Sequence, residues 1–494
     1  MRGGVEGRGI FAKCALLALF VGFLTQIPAG FAGTAQISTI VFDPATVKLS
    51  NPGNPGESKP PQTVSLRFKA YDAFGDVITP SSDNPISVYV YGAPNGVITP
   101  TITSVVSGSW VTLSYNGQFF SNPITVEAYV PNGLGGYSIG VTQILPRKRP
   151  SSCAYGTQSF TIPFDCNGQT GSACASYNIT NGLEVKAAIG YDKPTDQDLT
   201  DFAIDTGSLG ALVPASALGP DAIGPAGPGV KFYDSSGNTF AGYYYLARIS
   251  FKTSDGTIVQ TNPIKVLGVT TAYCAPGNYP KCNSNPPTSN IYYLGVGFNR
   301  NSTTTNDSFD SPADNAFLQI SDDNNGTDIS PGYVLSGESA TVGITGTADF
   351  GLAALTANRS VPGDWNTAPG CYGFPTLSGR NQFCGTLLMD VGITEMFLDR
   401  LTARRPSGAV DPNRKSSLPS GLETSILAGS SKNPAMSYTF DFAKTDTPTT
   451  VAPTDVTWVN KPKTFVNTGR DVLFGFNYMY DASCGNVGFE PLPQ

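Results

Sequence analysis

The chain has 494 residues, enough for two or three domains, and its formal net charge is −7 at pH 7. Only 14% of the residues are charged, whereas glycine (55), proline (39) and tyrosine (22) are abundant, which is typical of turn-rich β proteins. The acidic balance without a Lys/Arg-rich stripe argues against nucleic acid as a partner, and the absence of histidine excludes Ser-His-Asp, Cys-His and histidine–metal catalysis.

Residues 1–32 predict a secretory signal peptide. Arg2, Arg8 and Lys13 form a basic end, residues 14–24 form an apolar core that is short for a membrane span, and small residues favour cleavage near Ala32. An uncleaved anchor is the alternative. No later segment is apolar enough to cross a membrane. We therefore expect a protein that is secreted, or held at the cell surface or in the periplasm, and that meets the membrane only through its signal peptide.

Residues 34–146 alternate between apolar and polar side chains, as in 86–91 and 124–130, and turn residues separate the alternating segments. This pattern predicts an antiparallel β-sandwich and resembles immunoglobulin-like modules of secreted bacterial proteins. The segment contains no cysteine and no cluster of acids or bases, which favours a spacer or stabilising role. Binding of carbohydrate or of a surface is the alternative.

The basic, proline-flanked residues 147–152 predict a linker, with a processing site as the alternative. All cysteines that follow the signal peptide lie beyond residue 150, and their even number in an exported chain indicates disulfides. The first pairings that we expect are Cys274 with Cys282 and Cys371 with Cys384, because each pair is close in sequence. The cysteine spacing does not favour zinc.

A possible chemical centre lies at residues 202–214, Phe-Ala-Ile-Asp-Thr-Gly-Ser-Leu-Gly-Ala-Leu-Val-Pro. Asp205 follows an apolar strand, and a Thr-Gly-Ser turn leads into a second apolar strand. A similar unit surrounds Asp390. Two carboxylates about 3 Å apart share one proton, because both cannot ionise cheaply. Such a pair hydrolyses amides by general acid–base catalysis, in which one carboxylate activates water and the other protonates the carbonyl oxygen.

Several segments in chain order resemble the pepsin-like aspartic peptidase family, over about residues 153–494. They are the first active-site motif at 202–214, a flap-like hairpin at 231–245, Tyr-Tyr-Leu-Gly-Val-Gly-Phe at 292–298, the segments 332–336 and 340–343, the second motif Leu-Leu-Met-Asp-Val-Gly-Ile-Thr-Glu-Met-Phe-Leu at 387–398, and the ending 472–481 with 485–489.

The resemblance implies an all-β, bilobal double-barrel domain, with lobes at 153–345 and 346–494, after the immunoglobulin-like sandwich. It assigns catalysis to Asp205 and Asp390, in an exported monomer that cleaves polypeptides without a metal or organic cofactor and works best at acid pH. The residues that it assigns to orientation or substrate binding are Thr206, Gly207, Ser208, Tyr233, Gly392 and Thr394, with Ser208 bonded to the Asp205 carboxylate and Tyr233 over the bound peptide.

Two departures from the family pattern leave alternatives open. Val391 and Ile393 stand where the family has hydroxyl side chains, which would brace the two active-site loops and bond the second carboxylate; Thr394 would replace them only in part. Tyr233 also lies closer in sequence to Asp205 than is usual for a flap tyrosine, so that an ordinary hairpin is the alternative. The other hypotheses for the chain are a catalytically impaired pepsin-like module that binds a surface partner, an inhibitor target or a polysaccharide, and a retropepsin-type peptidase with a narrow substrate.

Overall fold

Strands dominate the structure, as the alternating sequence predicts, and the all-β expectation is confirmed. Within the described residues the one α-helix, α1 (Ser172–Asn181), has 10 residues, and no helix there is long and apolar enough to cross a membrane. The predicted signal peptide (1–32) and linker (147–152) lie outside the described residues. The computed structural model describes residues 37, 39–43, 46–49, 61–71, 77–91, 97–101, 103–108, 110–116, 124–131, 137–146, 155–233, 236–275, 282, 288–300, 309, 311–321, 329–361, 363–378, 381–399, 405–406, 408–410, 417–445, 449–459 and 463–493.

The first ten strands form two facing sheets around a core of their own, which runs from Ile37 to Ile144. Their alternating side chains place one face of each sheet in this core, as in β3, where every second residue from Val64 to Ala70 is buried. The order is β1-β3-β8-β6 in one sheet, where β4 also pairs with β3, and β2-β10-β9-β5-β7 in the other. The strands are β1 (Thr39–Asp43), β2 (Thr46–Leu49), β3 (Gln62–Tyr71), β4 (Val77–Ile78), β5 (Ile86–Tyr91), β6 (Ile98–Pro100), β7 (Ser104–Val105), β8 (Trp110–Tyr115), β9 (Ile124–Pro131) and β10 (Tyr137–Pro146).

The remaining strands form sheets of nine, seven and six strands around one large core, and a second, smaller cluster of buried side chains packs on the strands Leu209–Pro214, Asn238–Ala247 and Ile264–Cys274. Short 3-10 helices connect some of them, at Ala215–Ala217, Pro312–Asp314, Ala316–Leu318 and Asp471–Phe474. The strands up to residue 342 are β11 (Phe160–Pro163), β12 (Glu184–Ile189), β13 (Thr200–Asp205), β14 (Leu209–Pro214), β15 (Ile223–Phe232), β16 (Asn238–Ala247), β17 (Ile249–Lys252), β18 (Ile258–Gln260), β19 (Ile264–Cys274), β20 (Tyr293–Val296), β21 (Gly332–Leu335) and β22 (Ser339–Val342). The later strands are β23 (Gly351–Ala354), β24 (Ala368–Gly373), β25 (Gln382–Leu388), β26 (Met396–Asp399), β27 (Glu423–Ser430), β28 (Asn433–Asp441), β29 (Val456–Val459), β30 (Phe465–Asn467), β31 (Phe476–Asp481) and β32 (Asn486–Pro491).

The nine-stranded and seven-stranded sheets contain the same strand arrangement. In the nine-stranded sheet, β20 lies between β13 and β14, parallel to β13 and antiparallel to β14, and β14 runs parallel to β19. In the seven-stranded sheet, β30 lies between β25 and β26, parallel to β25 and antiparallel to β26, and β26 runs parallel to β29. Asp205 ends β13, and Asp390 follows β25 by two residues. The two acids therefore occupy matching places in two similar sheets.

The six-stranded sheet takes strands from both halves of this region, in the order β11-β22-β21-β31-β32-β23. Its central pairing joins β21 to β31, with Tyr333 opposite Tyr480. Both tyrosines are fully buried, and their rings are 5.7 Å apart. The sheet thus pairs chain segments that come before, between and after the two aspartate motifs at 202–214 and 387–398.

The outer face of the sandwich contacts the nine-stranded sheet, where β10 packs against β15. Glu127 of β9 is only 5% exposed, although its side chain points away from the sandwich core that Val126 and Ala128 enter. The charges of Lys265 and Asp314, both from beyond the sandwich, act on its carboxyl. Glu127 Oε2 is buried and accepts no hydrogen bond in the described part of the chain.

Three disulfides are present in the described residues: Cys166–Cys174, Cys274–Cys282 and Cys371–Cys384. The expected pairings Cys274–Cys282 and Cys371–Cys384 are confirmed. The disulfide Cys166–Cys174 was not among the pairings expected from the sequence. Cys371 and Cys384 lie directly opposite each other on β24 and β25, in the seven-stranded sheet. Cys484 is disulfide-bonded as well, and Cys153 lies outside the described residues.

Candidate active site

Asp205 is presented by a strand whose alternate residues enter the core. Phe202 and Ile204 are buried, and the half-buried Asp205 ends β13. Gly207 follows in the tight turn, and its N–H donates to Asp205 Oδ1 at 2.6 Å. A backbone donor two residues along the chain holds the carboxylate in place without any long side chain.

Asp390 is the more enclosed of the two acids, at 8% exposure. The N–H of Gly392 donates to its Oδ1 at 3.1 Å, which repeats the bond between Gly207 and Asp205. The side-chain amide of Asn467 donates to Oδ2 at 2.7 Å. Both carboxylate oxygens of Asp390 therefore carry a hydrogen bond from the protein.

The structure brings the two acids together across 185 residues of sequence. A β-carbon placed on Gly207 would lie 2.6 Å from both carboxylate oxygens of Asp390. One placed on Gly392 would lie 2.6 Å from Asp205 Oδ1 and 3.2 Å from Asp390 Oδ1. Each glycine thus packs against the opposite carboxylate, and one oxygen of each acid borders the same small space. Only glycine permits this close approach.

Thr206 joins the two loops. Its side chain is 2% exposed; Oγ1 donates to the carbonyl of Met389 at 2.6 Å and accepts from the N–H of Val391 at 2.9 Å. Val391 is also buried, but it has no hydroxyl with which to make the reciprocal bonds. Of the hydroxyl contacts that the resemblance implies between the two loops, those from Thr206 are present and those from position 391 are absent.

Two of the residues expected to orient the acids have other surroundings. Ser208 is buried, and its Oγ has no hydrogen-bond partner in the described chain, so that the Asp205 carboxylate is bonded by Gly207 instead. Thr394 Oγ1 accepts from Thr454 Oγ1 at 3.0 Å rather than bonding Asp390. Neither hydroxyl therefore holds a carboxylate here.

Tyr233 lies in the turn of the hairpin formed by β15 and β16, where its N–H donates to the carbonyl of Asn238 at 2.9 Å. Its ring is 5.8 Å from that of Phe240 and 6.3 Å from that of Tyr293. Tyr293 belongs to β20, which pairs with the strand of Asp205. Burial and then the charge of Asp205 raise the pKa of Tyr293. The hairpin turn thus contacts an aromatic residue that lies close to the first acid.

Electrostatics distinguish Asp390 from an ordinary surface acid. Burial, followed by repulsion from Asp205, raises the pKa of Asp390 to about 7. The hydrogen bond from Asn467, the positive charge of Arg300 and the N–H of Gly392 act in the opposite direction. Burial lowers the pKa of Arg300, while Asp390 and Asp205 raise it. A guanidinium keeps its charge under such conditions, so that the acids lie in the field of a fixed cation.

Asn467 and Arg300 are not among the site residues predicted from the sequence. Asn467 lies 77 residues after Asp390, in a Phe-Val-Asn-Thr-Gly segment that repeats the pattern of the Asp205 motif with an amide in place of the acid, and this likeness was the available signal. Arg300 follows the Leu-Gly-Val-Gly-Phe segment of β20, and its Nε donates to the carbonyl of Phe298 at 3.0 Å. The segment 292–298 is part of the family resemblance, and the charged residue two positions after it was the available signal.

No protein-family model matches the chain, and no curated protein is significantly similar to it in sequence. In the described parts of the chain, no group of three or more acidic, cysteine or histidine side chains is placed to hold a metal ion.

Proposed function

We propose that the chain is an exported aspartic endopeptidase of pepsin-like type, in which Asp205 and Asp390 hydrolyse peptide bonds. The observation that carries the proposal is the convergence of the two acids, each packed against the glycine that follows the other. Further support comes from the strand arrangement that occurs twice around them. The Thr206 bridge between their loops also agrees with the resemblance.

The chemistry follows from one proton shared by the pair. The raised pKa of Asp390 keeps that proton on the pair up to about pH 7. The ionised carboxylate takes a proton from a water, whose oxygen attacks the carbonyl carbon of the substrate, while the protonated carboxyl gives its proton to the carbonyl oxygen. The carbon–nitrogen bond of the resulting diol then breaks as the amide nitrogen takes the proton from the protonated carboxyl and a hydroxyl of the diol gives its proton to the other carboxylate. A carboxylic acid and an amine leave, and the pair again holds one proton.

The other parts of the proposal rest on the sequence. The signal peptide and the disulfides support export, and the sandwich would act as an immunoglobulin-like spacer or as a module that binds a surface or carbohydrate. We propose a monomer with polypeptide substrates and no cofactor. Tyr233 and the β15–β16 hairpin would cover the bound peptide, because the hairpin contacts Tyr293 beside the Asp205 strand.

The second candidate function is a binding module that retains the fold without catalysis. The lack of hydroxyls at Val391 and Ile393 favours it, and so does the buried Ser208 Oγ, which bonds no carboxylate. In this case the cleft between the acids would hold a protein or polysaccharide without cleaving it.

The experiment that separates these candidates measures cleavage of denatured casein and of a proteome-derived peptide library by the purified protein from pH 3 to 7, with and without pepstatin. The library detects a peptidase of narrow specificity. We expect cleavage that Asp205→Asn and Asp390→Asn each reduce by about 10²- to 10⁴-fold. Asp441→Asn, at an exposed position on β28, is the matched control. Absence of cleavage in both assays, or cleavage that survives Asp205→Asn, would overturn the proposal.

A further inference from the structure

Asn467 lies at the end of β30, the strand inserted between β25 and β26, and it is 6% exposed. Its Nδ2 donates to Asp390 Oδ2 at 2.7 Å, and its Oδ1 accepts from the N–H of Gly469 at 3.1 Å. The backbone donor fixes the orientation of the amide, because an N–H can only face the oxygen side. The NH₂ group must therefore point at the carboxylate.

The two acids are bonded differently. Asp205 accepts one hydrogen bond in the described structure, from Gly207, whereas Asp390 accepts one on each oxygen. Asn467 occupies Oδ2 of Asp390. The Oδ1 atoms of Asp390 and Asp205 border a common space. Both lie within 3.2 Å of the position that a β-carbon on Gly392 would take. The asparagine thus bonds the oxygen of Asp390 that does not border this shared space, and Oδ1, which does, accepts only the backbone N–H of Gly392 in the described structure.

We propose that Asn467 is the positioning residue for Asp390, and that it supplies the hydrogen bond which the family resemblance assigns to a hydroxyl at the position of Ile393. The inference rests on the proposed function, since it concerns the same pair of acids. It explains how the second acid can be held although position 393 carries no hydroxyl and Thr394 is bonded to Thr454.

Three charged groups act on Asp390: the carboxylate of Asp205 and the guanidinium groups of Arg300 and Arg470. Arg470 is held by the carbonyls of Ile179 and Thr180, at 2.6 and 2.8 Å. Asn467 is neutral, so that its replacement removes a hydrogen bond and leaves these charges unchanged. Hydrogen bonding to the ionised form lowers the pKa of a carboxyl, and loss of the Asn467 bond therefore raises the pKa of Asp390.

The first test is the pH profile of peptide cleavage by Asn467→Ala. We expect kcat to fall about 10- to 100-fold, with KM changed less than about threefold, and the alkaline limb of the profile to move to higher pH. The double variant Asn467→Ala with Ile393→Thr should recover part of kcat, because a hydroxyl at 393 replaces the missing donor. Asn477→Ala is the matched control; it removes an amide bond of 2.8 Å to the carboxylate of Glu490, away from the site.

A second test does not depend on activity. Carbon-13 NMR of protein labelled at the aspartate carboxyls, with Asp390 assigned by difference from Asp390→Asn, gives the pKa of that group. A higher pKa of Asp390 in Asn467→Ala than in the parent protein supports the inference even if the protein cleaves nothing. In that case only the proposed function fails. An active enzyme whose kcat, pH profile and Asp390 pKa are unchanged by Asn467→Ala would overturn the inference. If the alanine variant does not fold, Asn467→Ser, which is too short to reach Oδ2, is measured in its place.

Discussion

The hydroxyl of Thr206 accepts a hydrogen bond of 2.9 Å from the backbone N–H of Val391, and this contact joins the turn after one acid to the turn after the other. The same hydroxyl donates to the carbonyl of Met389 at 2.6 Å. One buried side chain thus satisfies two backbone groups of a loop 185 residues away in sequence.

Thr206→Val should therefore lower both stability and activity. It keeps the shape of the side chain but leaves a buried N–H and a buried carbonyl without partners, which costs about 1–3 kcal/mol. The measurement is urea denaturation, together with kcat. Thr206→Ser retains the hydroxyl and is the control. Equal stability of the valine variant and the parent protein would show that the two loops are held by other contacts.

Gly207→Ala should reduce activity far more than stability. The added β-carbon would lie 2.6 Å from both oxygens of Asp390, so that the carboxylate must move. A displacement of about 1 Å in a catalytic group reduces turnover about 10²-fold. The measurement is kcat alongside the unfolding midpoint. Gly346→Ala, where a β-carbon meets nothing within 4 Å, is the control. Full activity in Gly207→Ala would contradict the packing of the glycine on the opposite acid.

The pH dependence of cleavage should report the shared proton. Because the pKa of Asp390 is raised to about 7, the pair loses its last proton above that pH. kcat/KM should then fall about tenfold per pH unit. Arg300→Gln removes a cation that lowers this pKa, and the alkaline limb should move to higher pH. Arg359→Gln, at an exposed site, is the control. If Arg300→Gln does not move the alkaline limb of the pH profile, the limb reports the ionisation of a group other than Asp390.

Glu127 should make the stability of the protein depend on pH. Burial raises its pKa from 4.5 to about 8. Below pH 4.5 the Glu127 carboxyl is protonated in both the folded and the unfolded chain. Between pH 4.5 and about 8 it stays protonated only in the folded chain, so that the unfolded state binds fewer protons. The free energy of unfolding therefore falls as pH rises from 4.5 to about 8, by up to about 1.4 kcal/mol per unit.

The check is thermal unfolding from pH 4 to 9 of the parent protein and of Glu127→Gln, which cannot ionise. The difference between the two should widen in favour of the glutamine variant as pH rises. Glu338→Gln, at an exposed position, is the control. Parallel curves for the parent and Glu127→Gln would show that Glu127 ionises without cost and that water reaches it at the sandwich contact.

The sequence identified the two acids because each comes with a local pattern, an apolar strand followed by a glycine turn. It also indicated the Cys274–Cys282 and Cys371–Cys384 pairs, since their partners are close in the chain. Asn467 also ends an apolar strand before a glycine turn, but the local pattern does not indicate that its amide bonds Asp390. Its role depends on the insertion of β30 between two strands that come from 382–399, and this is a property of sheet topology rather than of neighbouring residues.

The surroundings of individual side chains could not be predicted from local sequence patterns either. Ser208 lies in a motif that predicts a bond to Asp205, yet its direction depends on how the turn packs. Glu127 lies on an alternating strand, and alternation cannot indicate whether the polar face of a sheet is covered by another part of the chain. In both cases the deciding contact comes from residues remote in sequence.

The topology of the six-stranded sheet also determines when folding can be completed. Its first strand comes from residues 160–163, but β31 and β32, which join its two sides, come from residues 476–491. While the ribosome is still translating the chain, β21 has no β31 with which to pair and Asp390 has no Asn467. The earlier strands therefore stay incompletely paired until residues 476–491 have emerged, and this is the period in which they are most exposed to aggregation and in which a chaperone would be of most use.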